Sequence, residues 1–166
     1  MPDLLVRLYD LPGAAPELNR LAERGIVIRR AMAYEKHPVV KWVKYRFGTG
    51  WADECDVAFS RVPVSCFIAT KSGSIAGFAC HDVTCLNFFG PTGVDEENRG
   101  TGIGRALLLS CLHAMAAQGY AYAVIGGTGP DEFFVKTAGA EPIAGSTTGI
   151  YHDRLTIQDM EKGDTP

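Results

Sequence analysis

The segment richest in chemistry is Val94-Asp95-Glu96-Glu97-Asn98-Arg99-Gly100-Thr101-Gly102-Ile103-Gly104-Arg105. A strand-like run leads into it and an apolar helical run leads out. Glycines at 100, 102 and 104 remove side chains where the backbone must turn, so successive amide N–H groups can converge on one concavity. The positive end of the following helix points the same way. Arg99 and Arg105 add fixed charge. Such a set of donors suits phosphate, above all a diphosphate. For Gly102 alone, a turn that merely starts a helix is the plainer reading. Three alternating glycines between two arginines favour the anion site.

Two common phosphate-binding loops fit this segment poorly. A nucleoside triphosphate loop needs Lys followed by Ser or Thr after its last glycine, and here Arg105-Ala106 follows. A dinucleotide loop needs the spacing G-x-G-x-x-G, with an acidic residue ~20 positions on. The glycines here run G-x-G-x-G, and positions 120–125 hold no acid.

Candidate proton acceptors lie elsewhere. Asp53, Glu54 and Asp56 cluster beside Trp51, and Glu35 is a further acid. The plainer reading is a solvated loop; the functional one is an acidic, aromatic-lined pocket that draws a cationic amine. Asn87 is placed to orient a water. His37, His81, His113 and His152 are scattered, and no Ser-His-Asp order or cysteine nucleophile motif stands out. The five cysteines are odd in number and no secretion signal accompanies them, which predicts reduced, mostly structural thiols. Cys80-His81 and Cys85 resemble metal ligands, but no second pair follows at zinc spacing, so no metal is expected.

These residues need elements to position them. Leu4–Tyr9 reads as a strand and Pro16–Arg24 as a short helix stopped by Gly25. Ile26–Ala31 fits a strand or a helix continuation. Val39–Phe47 reads as a helix with Val39, Val40, Val43 and Phe47 on one face; Trp51–Arg61 is undecided. Ser65–Thr70 and Ile75–Asp82 form a hairpin signal around Lys71-Ser72-Gly73-Ser74. Leu86–Val94 is a strand that must bulge or lose pairing at Gly90-Pro91, because proline has no N–H for the ladder. The clearest helix runs from about Gly102 to Gln118 and ends at Gly119. Tyr120–Ile125 is a strand, Gly126–Pro130 a loop, and a helix starting at Pro130 ends near Gly139. One or two short strands follow through about Leu155. Strands interleaved with helices predict an α/β or α+β sheet.

Composition agrees with one globular domain over residues 1–166. The mass is 17.9 kDa, apolar residues are 46% and charged residues 21%, which argues against disorder. Sixteen basic and nineteen acidic residues give a net charge of −3, leaving no broad basic field for nucleic acid. Met1-Pro2-Asp3-Leu4-Leu5-Val6-Arg7 lacks the features of a signal peptide, and the uncharged stretch Ala106–Pro130 is interrupted by polar residues and glycines. A cytoplasmic protein with no membrane partner is expected.

Arg99-Gly100-Thr101-Gly102-Ile103-Gly104 resembles the Arg/Gln-x-x-Gly-x-Gly/Ala signature of the GNAT N-acetyltransferase superfamily, with Val94 upstream and Ala106-Leu107-Leu108 opening the helix. Phe133-Phe134-Val135-Lys136-Thr137-Ala138-Gly139-Ala140 is similar to that family's Phe-Tyr-x-Lys-x-Gly-Phe region, with one extra residue before the glycine. The resemblance covers about residues 65–143 and implies a cofactor core there, with a variable acceptor side over about 1–64. It implies a mixed, mostly antiparallel sheet with helices on both faces, splayed at two parallel strands. It also implies acetyl-CoA as co-substrate and no metal. The pyrophosphate would rest on the amides of Arg99, Gly100, Thr101, Gly102, Ile103, Gly104 and Arg105. The pantetheine arm would enter between the strand ending at Val94 and the strand Tyr120–Ile125, bonded by backbone groups of Thr92 and Val94.

The implied reaction is direct acetyl transfer to a primary amine through a tetrahedral intermediate, with Asp53, Glu54 and Asn87 as acceptor-side candidates. Where that family often carries a tyrosine acid, this chain has Phe134; Tyr120, Tyr122 and Tyr151 are the substitutes. A non-catalytic acyl-CoA binding or sensing module on the same fold is the alternative, and an enzyme using a different diphosphate is a third reading. The acceptor stays open between a small amine and a peptide amine. Homodimers are common in the family, although no residue here points to one. An aspartate at Gly102 is expected to abolish acetyl-CoA binding and leave the fold intact.

Overall fold

Apolar spacing and a few glycines set the element order. The computed structural model describes residues 1–127 and 131–155. In chain order these give β1 (Leu4–Arg7), α1 (Ala15–Glu23), β2 (Ile26–Arg30), α2 (Lys36–Phe47), α3 (Thr49–Ala58), β3 (Cys66–Lys71), β4 (Ser74–His81), β5 (Phe88–Val94), α4 (Ile103–Ala117), β6 (Tyr122–Ile125), α5 (Asp131–Ala138) and β7 (Glu141–Pro142). The two undecided segments resolve cleanly. Ile26–Arg30 pairs as a strand, and the stretch around Trp51 is a helix. Gly48, at φ +92°, breaks that helix from α2 and lets it leave in a new direction. The expected helix start at Pro130 and the tail beyond Leu155 lie outside the described residues.

All seven strands join one sheet in the order β2-β3-β4-β5-β6-β1-β7. Every neighbouring pair is antiparallel except β5 and β6, which run parallel. This matches the mixed, mostly antiparallel sheet expected. The first strand sits where local sequence gives no hint. It lies between β6 and β7, with Leu4 opposite Ile125 on one side and Pro142 on the other.

Helices cover both faces. One core packs α1, α4 and α5 on the sheet through Leu21, Leu107, Leu108, Leu112, Met115 and Phe134. Fully burying a leucine contributes about 1.5–3 kcal/mol, so α4, with three such leucines in this core, anchors its face. The other core sets α2 and α3 against Ile68, Phe78 and Cys80. Phe78 is its centre, ringed by Trp42, Phe47 and Trp51 at centroid distances of 6.2, 5.6 and 6.3 Å. Among the described residues, no helix is long and apolar enough to cross a membrane.

His81 ends β4 with no exposed surface. Its Nδ1 lies 2.8 Å from Asp82 Oδ2, and its Nε2 has no partner among the described residues. Burial pulls the imidazole below its ordinary 6.5; Asp82 opposes that, while Arg30 and Arg61 add to it. In the window just below 6.5 the unfolded chain takes up a proton that the folded state resists. The contribution to stability is therefore full above that value and is lost as pH falls through it toward the lower folded pKa. Urea unfolding free energy should decline between about pH 7 and pH 5. The decline should flatten in His81→Asn; an identical slope in that variant would assign the effect to other groups.

Candidate active site

The parallel contact between β5 and β6 is brief. It consists of Phe88 opposite Val124 and Phe89 opposite Ile125, with the Val124 N–H donating to the Asn87 carbonyl at 2.9 Å. Next come Gly90 and Pro91 on one strand and Gly126 on the other. Pro91 has no N–H to continue the ladder, and the β4–β5 register slips between Ala79 and His81, across from this point. The strands separate into a cleft of about 860 Å³. Its inner walls are Gly90, Pro91 and Thr92 against Ile125, Gly126 and Gly127, with Phe133 and Phe134 of α5 beside them. Trp51, Glu54, Thr84, Asp3 and Tyr151 form the mouth.

Phe134 is buried, with its ring centroid 6.2 Å from Phe89 and 5.1 Å from Phe133, an apolar wall with no proton to give. A phenol reaches the cleft from another element. Tyr151 ends a single 3-10 turn at Gly149–Tyr151 and leans over Gly126, where an added Cβ would stand 3.0 Å from its oxygen and 2.9 Å from Phe88. Burial raises its pKa above 10.0, the carboxylates of Glu54 and Asp3 raise it further, and Arg154, 5.2 Å over its ring, opposes them. The phenol is therefore protonated at neutral pH. Glu54 accepts a hydrogen bond from Thr84 Oγ1 at 2.5 Å.

The glycine-rich loop lies at the start of α4, reached from the cleft through Phe133, whose ring is 3.6 Å from where a Gly104 Cβ would be. Gly100, at φ +72°, faces open space. Gly102, at φ +97°, is the residue preceding α4, and a Cβ there would overlap the carboxylate of Glu17. Glu17 is nearly buried, ion-paired with Arg20 and 3.7 Å from Arg105 Nε. Arg24 donates to the Thr101 carbonyl at 3.3 Å, and Arg99 Nε to that of Val94 at 3.3 Å. The helix α1 thus braces the loop and brings two more guanidinium groups to it.

No protein-family model matches the chain and no curated protein matches it in sequence. Solved structures do match its shape. A GCN5-related glucosamine N-acetyltransferase region of a fungal multi-domain GH3 β-N-acetylglucosaminidase superposes with a TM-score of 0.70 at 13% identity, over 86% of this chain and 19% of that one. A GCN5-related N-acetyltransferase from Sphaerobacter thermophilus gives 0.61 at 18% identity, over 86% of this chain and 48% of that one. One from Kribbella flavida gives 0.52 at 15%, over 85% and 53%. This chain has the GCN5-related N-acetyltransferase (GNAT) fold. It spans a fifth to a half of the length of these relatives.

Within this GNAT fold the residues singled out by sequence fall into separate groups. Thr92 lines the cleft, its hydroxyl donating to the Phe78 carbonyl at 3.1 Å; Val94 lies beyond it and holds Arg99. Of the acceptor-side candidates, Glu54 reaches the cleft. Asp53 is exposed on α3 outside its lining, and Asn87 lies in the turn before β5, also outside the lining, where its backbone N–H donates to Asp82 Oδ1 at 2.7 Å. Glu35 is locked to Arg29 at 2.6 and 2.8 Å, and that guanidinium holds its carboxylate at about 2, too acidic for a base. Gly102 needs correction: with its left-handed backbone and Glu17 against it, an aspartate there disturbs the start of α4 along with any ligand.

The thiols also regroup. Cys55, Cys66 and Cys80 have sulfurs within 4.8 Å of one another, whereas Cys85 is elsewhere and His81 points to the opposite sheet face. Burial pushes the Cys80 and Cys111 thiols well up, which keeps them protonated and inert. Sequence reasoning missed Asp3 and Glu17, because each acts through a partner far along the chain. Gly126, just after β6, where a side chain would crowd Phe88 and Tyr151, was the one local sign of a crowded site.

Proposed function

We propose that this protein transfers an acetyl group from acetyl-CoA to an amine. The observation that carries the reading is the parting of the parallel pair at Phe89 and Ile125, which leaves unpaired backbone facing a cleft wide enough for an extended arm. Unpaired N–H and C=O groups on β5 suit a pantetheine, whose amides need hydrogen-bond partners. The open backbone around Gly100, flanked by Arg99 and Arg105, suits its pyrophosphate. The charge of Glu17 beside that loop is met by Arg20 and Arg105, while Arg24, on the Thr101 carbonyl, and Arg99, 4.0 Å from Glu96, add positive charge for an incoming anion.

Three demands follow from the chemistry. The amine must be neutral to attack, the tetrahedral oxyanion needs a donor, and the leaving thiolate, of pKa ~8.5 for a cysteine-like thiol, gains from an acid. A β5 amide at the parting supplies the second. Tyr151, held protonated at the mouth, supplies the third in place of the tyrosine that Phe134 lacks. Thr92 and the Phe133–Phe134 wall keep the reacting groups aligned and water away.

The packed Phe134 favours one second reading, a module that holds acyl-CoA without transfer. Calorimetric titration with acetyl-CoA, desulfo-CoA and ADP tests binding; thioester loss in the presence of amines separates the two readings. Acetyl-CoA bound far more tightly than ADP is expected. Equal affinity for ADP would mean that the cleft does not take the pantetheine arm. An amino sugar belongs in the amine panel, since one structural relative is a glucosamine N-acetyltransferase region.

A further inference from the structure

Asp3, immediately before β1, carries its carboxylate in an unusual place. Asp3 is only 7% exposed, yet it lines the cleft. Its backbone is pinned from both sides: its N–H donates to Ser146 Oγ at 2.8 Å, and its carbonyl accepts from the Ile143 N–H at 2.8 Å. Its carboxylate sits between two glycines. A Cβ at Gly126 would stand 3.3 Å from Oδ1, and one at Gly149 would stand 2.8 Å from Oδ2. Both positions must lack a side chain for the carboxylate to lie there.

The other acids near the site are engaged. Glu54 has the Thr84 hydroxyl, and Glu17 has Arg20 and Arg105. Among the described residues, no hydrogen bond or ion pair reaches the Asp3 carboxylate, and Arg154 stacks on Tyr151 instead. A mostly buried carboxylate that opens on a cleft is well placed to meet a cation that arrives with its own N–H donors.

We infer that Asp3 is the receptor and base for a cationic primary aliphatic amine, and that this class of amine is the acceptor. The inference rests on the acetyl-transfer reading above. The ammonium of the acceptor binds Asp3 and gives it one proton, leaving a neutral amine beside the thioester. The nitrogen lone pair forms the C–N bond as the carbonyl π pair moves to oxygen. The intermediate collapses and the C–S bond breaks. The Tyr151 phenol protonates the departing thiolate and is reprotonated by the second proton lost from nitrogen. Asp3 releases its proton to solvent, so each turnover yields amide, free thiol and one proton.

The test compares the wild-type protein with Asp3→Asn, using acetyl-CoA and two small acceptors at neutral pH. Ethylamine is cationic there and needs the carboxylate both as receptor and as base; hydroxylamine is already neutral. The variant should lose about 10²-fold or more in kcat/KM toward ethylamine, retain transfer to hydroxylamine, and bind acetyl-CoA as before by calorimetry. Equal loss on both acceptors, no loss on ethylamine, or a wild-type protein that binds acetyl-CoA but does not acetylate ethylamine would overturn the assignment. Should the variant not fold, the wild-type protein still decides. Methylguanidinium, a cation with N–H donors that stays protonated, should compete with ethylamine without displacing acetyl-CoA, and absence of competition would overturn the inference. Failure of the wild-type protein to bind acetyl-CoA would instead overturn the reading beneath it.

Discussion

Tyr151→Phe is expected to lower kcat for acetyl transfer by about 10²–10⁴-fold, with acetyl-CoA affinity unchanged. The substitution removes a single oxygen at the cleft mouth. The ring would still fill the space over Gly126 and still carry Arg154. What is lost is the one hydroxyl that burial, Glu54 and Asp3 together hold protonated. A distinct pH signature should follow. The wild-type rate should fall on the alkaline side as the phenol ionises above its ordinary 10.0, and the variant should lack that limb. A variant with full kcat would return the acid's role to water. One that lost acetyl-CoA binding would make Tyr151 a wall of the cleft.

Phe78→Ala should cost about 3–5 kcal/mol, the range for emptying a large aromatic from a packed core. That is a large share of the roughly 5–15 kcal/mol that holds a typical domain folded. Phe78 is fully buried on β4, and Trp42, Phe47 and Trp51 all lean on it. Their rings come from α2 and α3, so little can move in to fill the void without shifting both helices. Trp51 also lines the cleft, so the same change should raise KM for the acceptor in whatever protein remains folded. The checks are the midpoint and slope of a urea transition. A loss below about 1.5 kcal/mol would mean that the aromatic shell closes over the gap.

Local sequence carried the parts of the molecule whose causes are local. The periodic run after Gly102 specified α4, and Gly73 specified the hairpin of β3 and β4. Pro91 marked where β5 loses pairing, because a missing N–H is readable from one residue type; that two strands part there came from the family resemblance. Trp51–Arg61 was not legible: the helix there begins because Gly48 redirects the chain, and its apolar positions alone fit more than one element. The setting of Asp3 was still less legible, because Gly126, Ser146 and Gly149, which surround it, lie far along the chain. The cost of a side chain at Gly102 was hidden for the same reason, since Glu17, which fills the space beside it, belongs to a helix far along the chain.

The seat of β1 between β6 and β7 sets a timetable for synthesis. Leu4 leaves the ribosome long before Ile125 and Pro142 exist, and at about 5–20 residues per second the wait is on the order of ten seconds. Through that interval the apolar strand has no edge to join, and Leu4 and Val6 are held by a chaperone or stay exposed. The strand β1 thus docks late, only once β6 and β7 have been made.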